Sequence, residues 1–552
     1  MKYIKILIAC TILLPLSWGC KKSLDYNEAS FYNEGVVFSS PSLSKAFLTT
    51  IYSYLPTDFN SVDGATRSSA SDDAVHVWDL SSIKKFNDGS WSALQPLDDQ
   101  WARMYSGIRA ATLFLKKTEG QNFEELRYND GYKELMKQYN LYTYEARFLR
   151  AFFYFELIKR YGDVPLITTV LTEQEANNVT RTSYDKVVDF IVSECDEIIP
   201  NLPISYVGIP GSETGRATKG AALALKARTL LYSASPLHNV ANDQAKWIAA
   251  ASASKKIIDS KSYSLENNYK DVVNKISSPE LIFETRQNFS NSFEAANFPV
   301  GFEGGNTGTC PTQNLVEAYE MQKTGKGINE QGSGFKSNNP YADRDPRMYE
   351  TILYNGAPWK NLNIEVWYGG LNGPPNEKAT KTGYYLKKYV IESISLSPIS
   401  STTKQHTWVL FRYGEVLLNY AEAMNEVYGP NATGSGILQM TANEAINLIR
   451  FRAKMPEFPV GMTKEVFRQK LRNERRVELA FEDSRFWDIR RWKIGSSTTA
   501  IYGINVNKSN SKEISYAKKL VETRIWDDKM NLYPISQNEL YINKNLSQNL
   551  NW

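Results

Sequence analysis

Apolar and polar positions recur with helical spacing through most long segments of the chain. Ser42–Leu55 and Asp98–Lys117 are predicted as helices, the second with Trp101, Tyr105, Ile108, Thr112 and Leu115 on one face. Leu135–Tyr161 is predicted as a long aromatic-rich helix ending at Gly162, with Pro165 just beyond. Glycine adopts the left-handed conformation that closes a helix, and proline cannot continue one. Further helices are predicted over Tyr184–Ile199, Ala217–Ser235, Asp243–Ser260, Arg412–Val427, Ala442–Ala453 and Lys464–Trp492. Ala221, Ala222, Ala224 and Ala227 are set to face Ala249, Ala250 and Ala253 in an antiparallel pair. Short strands are predicted at Glu280–Thr285 and Tyr384–Glu392. The expected fold is therefore mainly α, a tetratricopeptide-like α-α superhelix with long irregular loop regions and a few short strands. No strict self-similarity at the roughly 34-residue tetratricopeptide period is visible.

The irregular regions are Thr57–Pro96, rich in Ser, Asp, Asn and Gly, and Phe289–Ser401, which carries most glycine and proline clusters. Loops of such length are either functional or disordered. They contain Trp78, Trp91, Trp359, Trp367 and Tyr368, which a disordered tract would lack.

The first residues read as an export signal. Lys2 and Lys5 precede the apolar run Ile6 to Leu16, too short to span a bilayer as a helix. The run ends in Leu16-Ser17-Trp18-Gly19-Cys20, as bacterial lipoprotein signals do. Residues 1–19 are expected to be removed, Cys20 to carry the lipid, and residues 20–40 to form a tether. Removing residues 1–19 takes away Lys2 and Lys5 but no acid, so the formal charge falls from +4 to +2. A balance this close to neutral argues against a nucleic-acid binder, which needs a basic excess on one face.

Cys195 falls on the stripe Val188, Ile191, Val192, Ile198 and is expected to be a buried thiol; a disulfide to Cys310 stays open. The only histidines are His76, His238 and His406, and there is no HExxH, no Gly-x-Ser-x-Gly elbow and no Walker A loop. The charge-dense segment Arg472–Arg491 is read as a structural ion-pair network, pairing Glu478 with Arg475, Glu482 with Arg485, and Asp488 with Arg485 and Arg491. Asp72-Asp73 and Asp98-Asp99 supply carboxylates, but adjacency in sequence does not give the facing pair that glycoside hydrolysis requires. The chain carries 33 Tyr and 12 Trp. Those in polar loops suit carbohydrate, whose C–H faces stack on aromatic planes while hydroxyls bond to Asn, Asp, Arg and Gln.

A set of motifs runs in order along the chain. Ala146-Arg147-Phe148-Leu149-Arg150-Ala151-Phe152-Phe153-Tyr154-Phe155 leads to Tyr161-Gly162-Asp163-Val164-Pro165-Leu166. Arg216-Ala217-Thr218-Lys219-Gly220-Ala221-Ala222 and Ser235-Pro236-Leu237 follow, then Asp343-Arg344-Asp345-Pro346-Arg347. Next come Arg412-Tyr413-Gly414-Glu415 to Ala423, Arg472-Asn473-Glu474-Arg475-Arg476 to Glu482, and Arg485-Phe486-Trp487-Asp488 to Trp492. Tyr533-Pro534-Ile535 and Asn545-Leu546-Ser547-Gln548-Asn549 close the series. This ordered set resembles the SusD/RagB family of outer-membrane nutrient-binding lipoproteins. Thr112, Asp483 and Leu550-Asn551 depart from that pattern, standing where the family usually has Asn, Gly and Pro-Gly.

The resemblance implies a SusD-like N-terminal segment over residues 41–260 and a RagB/SusD C-terminal segment over 261–552, intertwined in one body. It implies display on the outer membrane through the lipid anchor and a SusC-like TonB-dependent transporter as partner. It further implies capture of oligosaccharide or polysaccharide on a loop face, with no catalytic residue, cofactor or metal. By that analogy Trp78 stacks on sugar, Asp73 and Arg67 are rim hydrogen-bonding groups, and Trp359, Trp367 and Tyr368 form the opposing platform. The alternatives are a transporter lid that captures peptides or other nutrients and, more remotely, a surface glycosidase.

Overall fold

Helical periodicity becomes helix nearly where expected. A computed structural model describes residues 33–209 and 213–552; the expected leader 1–19 and Cys20, the expected lipid attachment point, lie outside them. The principal helices are α1 (Glu34–Phe38), α2 (Pro41–Tyr52), α3 (Trp101–Thr118), α4 (Tyr132–Tyr161), α5 (Tyr184–Ile198) and α6 (Lys219–Ala234). They continue as α7 (Gln244–Ser260), α8 (Tyr413–Tyr428), α9 (Ala442–Arg452), α10 (Lys464–Glu478) and α11 (Arg485–Arg491). From α3 to α9 each packs on the next, so the scaffold is the expected helical superhelix. The alanine-lined pair α6–α7 is among its closest contacts, and α7 meets α8 although the irregular region 261–412 lies between them in sequence. Thr218, Thr441 and Thr463 cap α6, α9 and α10 by accepting backbone N–H groups, and Gly162 ends α4 with φ of 69°. No described helix is long and apolar enough to cross a membrane.

Helix α4 is the axis of the N-terminal half. Phe148 to Ile158 are all buried, because neighbours cover this helix on every side. Its Phe148 meets Phe283 edge-on at 5.1 Å and its Phe155 meets Tyr232 at 5.3 Å. The tether expected over 20–40 ends early: Phe38 is buried, with its ring centroid 5.3 Å from that of Phe47 and 6.1 Å from that of Phe114. Cys195 and Cys310 are both buried and free, and burial pushes both thiols upward, so the open disulfide is absent.

Strands add five two-stranded sheets to the described residues. Strand Leu281–Ser290 pairs antiparallel with Lys404–Arg412, and Ala500–Lys508 with Ile514–Thr523 as a hairpin. The predicted strand Tyr384–Glu392 shrinks to Tyr385–Leu386, paired with Ile352–Leu353. Beyond it the chain turns inward at Lys388, whose ammonium lies 2.6 Å from Glu482 and 2.7 Å from the Tyr269 hydroxyl.

The predicted helix Lys464–Trp492 is two helices. Phe481 and Asp483, with φ of 61° and 59°, break it. The break serves a buried ion network. Glu478, with no solvent exposure, accepts from Arg347 at 2.8 Å, Arg412 at 2.8 Å and Arg452. Glu474 accepts from Arg347 at 2.6 Å and Arg450 at 2.7 Å, and Glu482 from Arg412 at 2.6 Å. The pairings expected along the segment are replaced, except Arg491 to Asp488 at 2.7 Å; Glu478 and Glu482 reach across the fold, and Arg485 binds Asp72 at 2.8 Å. Burial opposes ionisation of Glu478, but Arg452, Arg412 and Arg347 outweigh it and hold its pKa well below the usual range.

Two predictions follow from this network. Glu478→Gln leaves three buried arginines short of charge and should destabilise the protein by about 3–5 kcal/mol in urea melts; a loss under about 1 kcal/mol would contradict the assignment. Glu422, where burial is outweighed by Arg491, is lowered to about 2 from an ordinary 4.5. Its stabilisation is present above pH 4.5 and lost as pH falls through about 2. The destabilisation caused by Glu422→Gln should therefore shrink by about 2 kcal/mol between pH 7 and pH 3. A pH-independent difference would show that Glu422 is not held this way.

Candidate functional site

The polar loop 57–96 is drawn into the body by arginines from the far end of the chain. Arg476 Nε donates to Asp73 Oδ1 at 2.7 Å, Arg485 clamps both oxygens of Asp72, and Arg524 donates to the carbonyls of Ser71 and Ala74. So anchored, Ala74–His76 forms a short antiparallel ribbon with Thr309–Pro311, and Val77 N–H donates to the Gly308 carbonyl at 2.8 Å. Burial, with Lys84 and Lys381 nearby, lowers the His76 pKa to about 4, so the ribbon carries a neutral imidazole at pH 7.

Trp78 leaves the end of this ribbon with 41% of its surface exposed, and Leu80 is almost wholly exposed. The Lys378 ammonium lies 5.6 Å from the Trp78 ring centroid and donates to Asn306 Oδ1 at 2.6 Å. Lys381 pairs with Asp79, whose carboxyl is lowered chiefly by that hydrogen bond. The indole thus stands on a fixed ribbon with an ammonium beside its face.

Trp367 and Tyr368 sit at the start of the segment whose end supplies Lys378 and Lys381. Their turn is closed by Gly369 N–H to the Pro374 carbonyl at 2.6 Å and Asn372 N–H to the Glu365 carbonyl at 2.9 Å. The buried Asn372 side chain accepts from Glu365 N–H at 2.9 Å and donates to the Val300 carbonyl at 2.6 Å, tying the turn to the body. A Cβ on Gly373 would lie 2.1 Å from the Trp367 carbonyl oxygen, so only glycine lets the turn fold this tightly. Tyr368 is 78% exposed, while Trp367 is half-buried beneath Lys508 of the 500–523 hairpin, 4.2 Å from its ring centroid. Each indole is therefore capped by a different lysine.

The other three candidate residues are elsewhere. Arg67 is buried, bonded to Asp98 at 2.9 Å and Asp483 at 2.7 Å. Asp73 has no exposure and is occupied by Arg476. Trp359 is buried edge-on to Phe298 at 5.8 Å. As rim or platform groups these three are corrected: Arg67 and Asp73 answer buried charges from other parts of the chain, and Trp359 is enclosed by apolar packing against Phe298. Sequence reasoning missed Lys378, Lys381 and Lys508, since lysines in a loop carry no sign of what they cover. The acid pairs are also engaged: Asp98 is buried against Arg67 and Arg160, and Asp99 accepts from the Tyr161 hydroxyl at 2.6 Å. The apolar pocket of about 240 Å³ between Trp101, Tyr105, Ile542 and Leu546 includes none of the exposed aromatic groups.

Comparison with known proteins bears on the whole chain. A sequence model described as the SusD family matches residues 267–552, and one described as starch-binding associating with outer membrane matches residues 24–231. SusD-like protein P25 of Formosa agariphila is 26% identical over 426 residues, covering 72% of this chain and 70% of its own. A crystal structure of a SusD-like protein from Bacteroides fragilis superposes with a TM-score of 0.77 at 27% identity, over 94% of this chain and 99% of its own. A SusD-like carbohydrate binding protein from the same species gives 0.73 at 27% identity, over 93% and 100%. With the family match spanning more than half the sequence and the superhelix shared along nearly its full length, the chain belongs to the SusD family.

Proposed function

We propose that this protein captures oligosaccharide at the cell surface through Trp78 and the turn bearing Trp367 and Tyr368, and delivers it to a SusC-like TonB-dependent transporter. The observation that carries the reading is Trp78, an indole left 41% exposed on a ribbon that is otherwise buried. A large apolar ring on a fixed support, beside an ammonium, suits the C–H face of a sugar and its hydroxyls together. Tyr368, exposed on a braced turn, offers a second stacking plane. The matched family description of starch binding and outer-membrane association, and a carbohydrate-binding relative of the same fold, support the same reading. In this account the lipid on Cys20 holds the protein to the outer membrane, facing outward, and the helical scaffold packs on the transporter. The reading is of binding rather than catalysis, and the engagement of Asp72, Asp73 and Asp98 in buried ion pairs supports it.

Affinity gel electrophoresis of residues 21–552 against a polysaccharide panel tests this directly. At least one gel should retard the protein with no release of reducing ends, and Trp78→Ala should weaken binding about tenfold, or about 1.4 kcal/mol. Retardation unchanged by both Trp78→Ala and Tyr368→Ala would remove these residues from the account. Binding of peptides in place of glycans would favour the lid reading, and released sugar would make the protein a hydrolase.

A further inference from the structure

The most voluminous cleft among those described, about 1020 Å³, is lined by none of Trp78, Trp367, Tyr368 and the lysines beside them. Its walls come from residues 269–274, the hairpin turn Lys360-Asn361, the stretch 387–393 and the start of strand Lys404–Arg412. Five lysines line it, Lys270, Lys360, Lys387, Lys388 and Lys404, against three carboxylates, Asp271, Glu350 and Glu392.

The charges are unevenly engaged. Glu350 is paired with Lys387 at 3.2 Å, Glu392 accepts the Lys360 backbone N–H at 2.8 Å, and Asp271 accepts from Asn268 at 3.2 Å. Lys388 is bound to Glu482 on the floor, and the Lys360 ammonium is held by the Ile394 carbonyl over the Phe298 ring. Lys270 and Lys404 are exposed on different walls, and no carboxylate of the described residues pairs with either ammonium. Of these acids only Glu350 is neutralised by a cation, so Lys270, Lys360 and Lys404 stand against Asp271 and Glu392, an excess of one positive charge, and Lys270 and Lys404 are its exposed cations. Around them Asn274, Asn361, Ser393 and Gln405 offer groups suited to hydroxyls. Lys360 and Asn361 both hold positive φ, 47° and 65°, in the two-residue turn between Pro358–Trp359 and Leu362–Asn363, which keeps the Asn361 amide at the rim.

We infer that this lysine-lined cleft is a second saccharide site that selects anionic glycan, with Lys270 and Lys404 meeting the carboxylate or sulfate groups of the chain. The inference rests on the proposed reading of the protein as a glycan binder and adds the chemical class of the glycan. Both lysines are exposed, so their pairing with the ligand is screened by salt and contributes specificity more than affinity.

The test uses residues 21–552, which contain the whole described body, with four probes: alginate as polyuronate, carrageenan as sulfated galactan, a neutral glucan, and anionic phospholipid vesicles. One anionic polymer should bind, the responding polymer showing whether carboxylate or sulfate is recognised. Lys270→Ala/Lys404→Ala should weaken it about tenfold with neutral binding and melting temperature unchanged. Raising salt from about 0.05 M to about 0.5 M should weaken the wild type more than the variant. Binding of neutral glucan alone, or polyanion binding indifferent to the double substitution, would overturn this inference and leave the proposed function standing. Binding of anionic phospholipid vesicles but of no polysaccharide would overturn both.

Discussion

Glu478 is the point on which the structure turns. A carboxylate without solvent exposure is tolerable only if cations surround it, and here Arg347, Arg412 and Arg452 converge from three separate segments. Meeting that requirement joins the irregular region 261–412 to the C-terminal helices, and breaks the helix after Glu478 so that Glu482 also faces Arg412. The break also frees Arg485 to reach Asp72 while Arg476 holds Asp73. Those bonds set the ribbon from which Trp78 projects. A buried charge requirement in the second half thereby determines what the first half displays.

Much of the scaffold was legible because amphipathic periodicity and end signals act locally. Gly162 and Pro165 ended α4 where the sequence placed its end, and Thr441 with Glu444 closed a capping box at α9. Asp483, standing where the family usually has glycine, does adopt the left-handed conformation, its carboxylate accepting from Trp487 Nε1 at 3.1 Å. The continuous helix across residues 464–492 misled because helical spacing cannot register a partner hundreds of residues away. The hairpin over 500–523 escaped notice for a related reason: its alternation is real but its outer positions are polar, and its packing depends on Tyr341, 5.4 Å from Tyr516.

The candidate site was half legible. Trp78, Trp367 and Tyr368 are aromatic residues in polar loops, and they keep exposed or partly exposed rings. Arg67, Asp73 and Trp359 look no different in sequence, yet each is buried; what separates the two groups is whether the folded chain encloses the side chain or only flanks it. Arg67 has three aspartates around it, and Asp73 has Arg476. The lysines that flank the indoles come from strands and turns whose placement only the folded chain fixes.

The ribbon-mounted Trp78 and the turn at Trp367–Tyr368 are proposed to meet carbohydrate together. Hydrogen–deuterium exchange of residues 21–552, with and without an oligosaccharide of the polymer it binds, addresses both without altering any residue. The account predicts added protection at residues 77–80 and 365–381, with the helical scaffold unchanged. Protection confined to other surfaces, with these two segments exchanging as in the free protein, would contradict it.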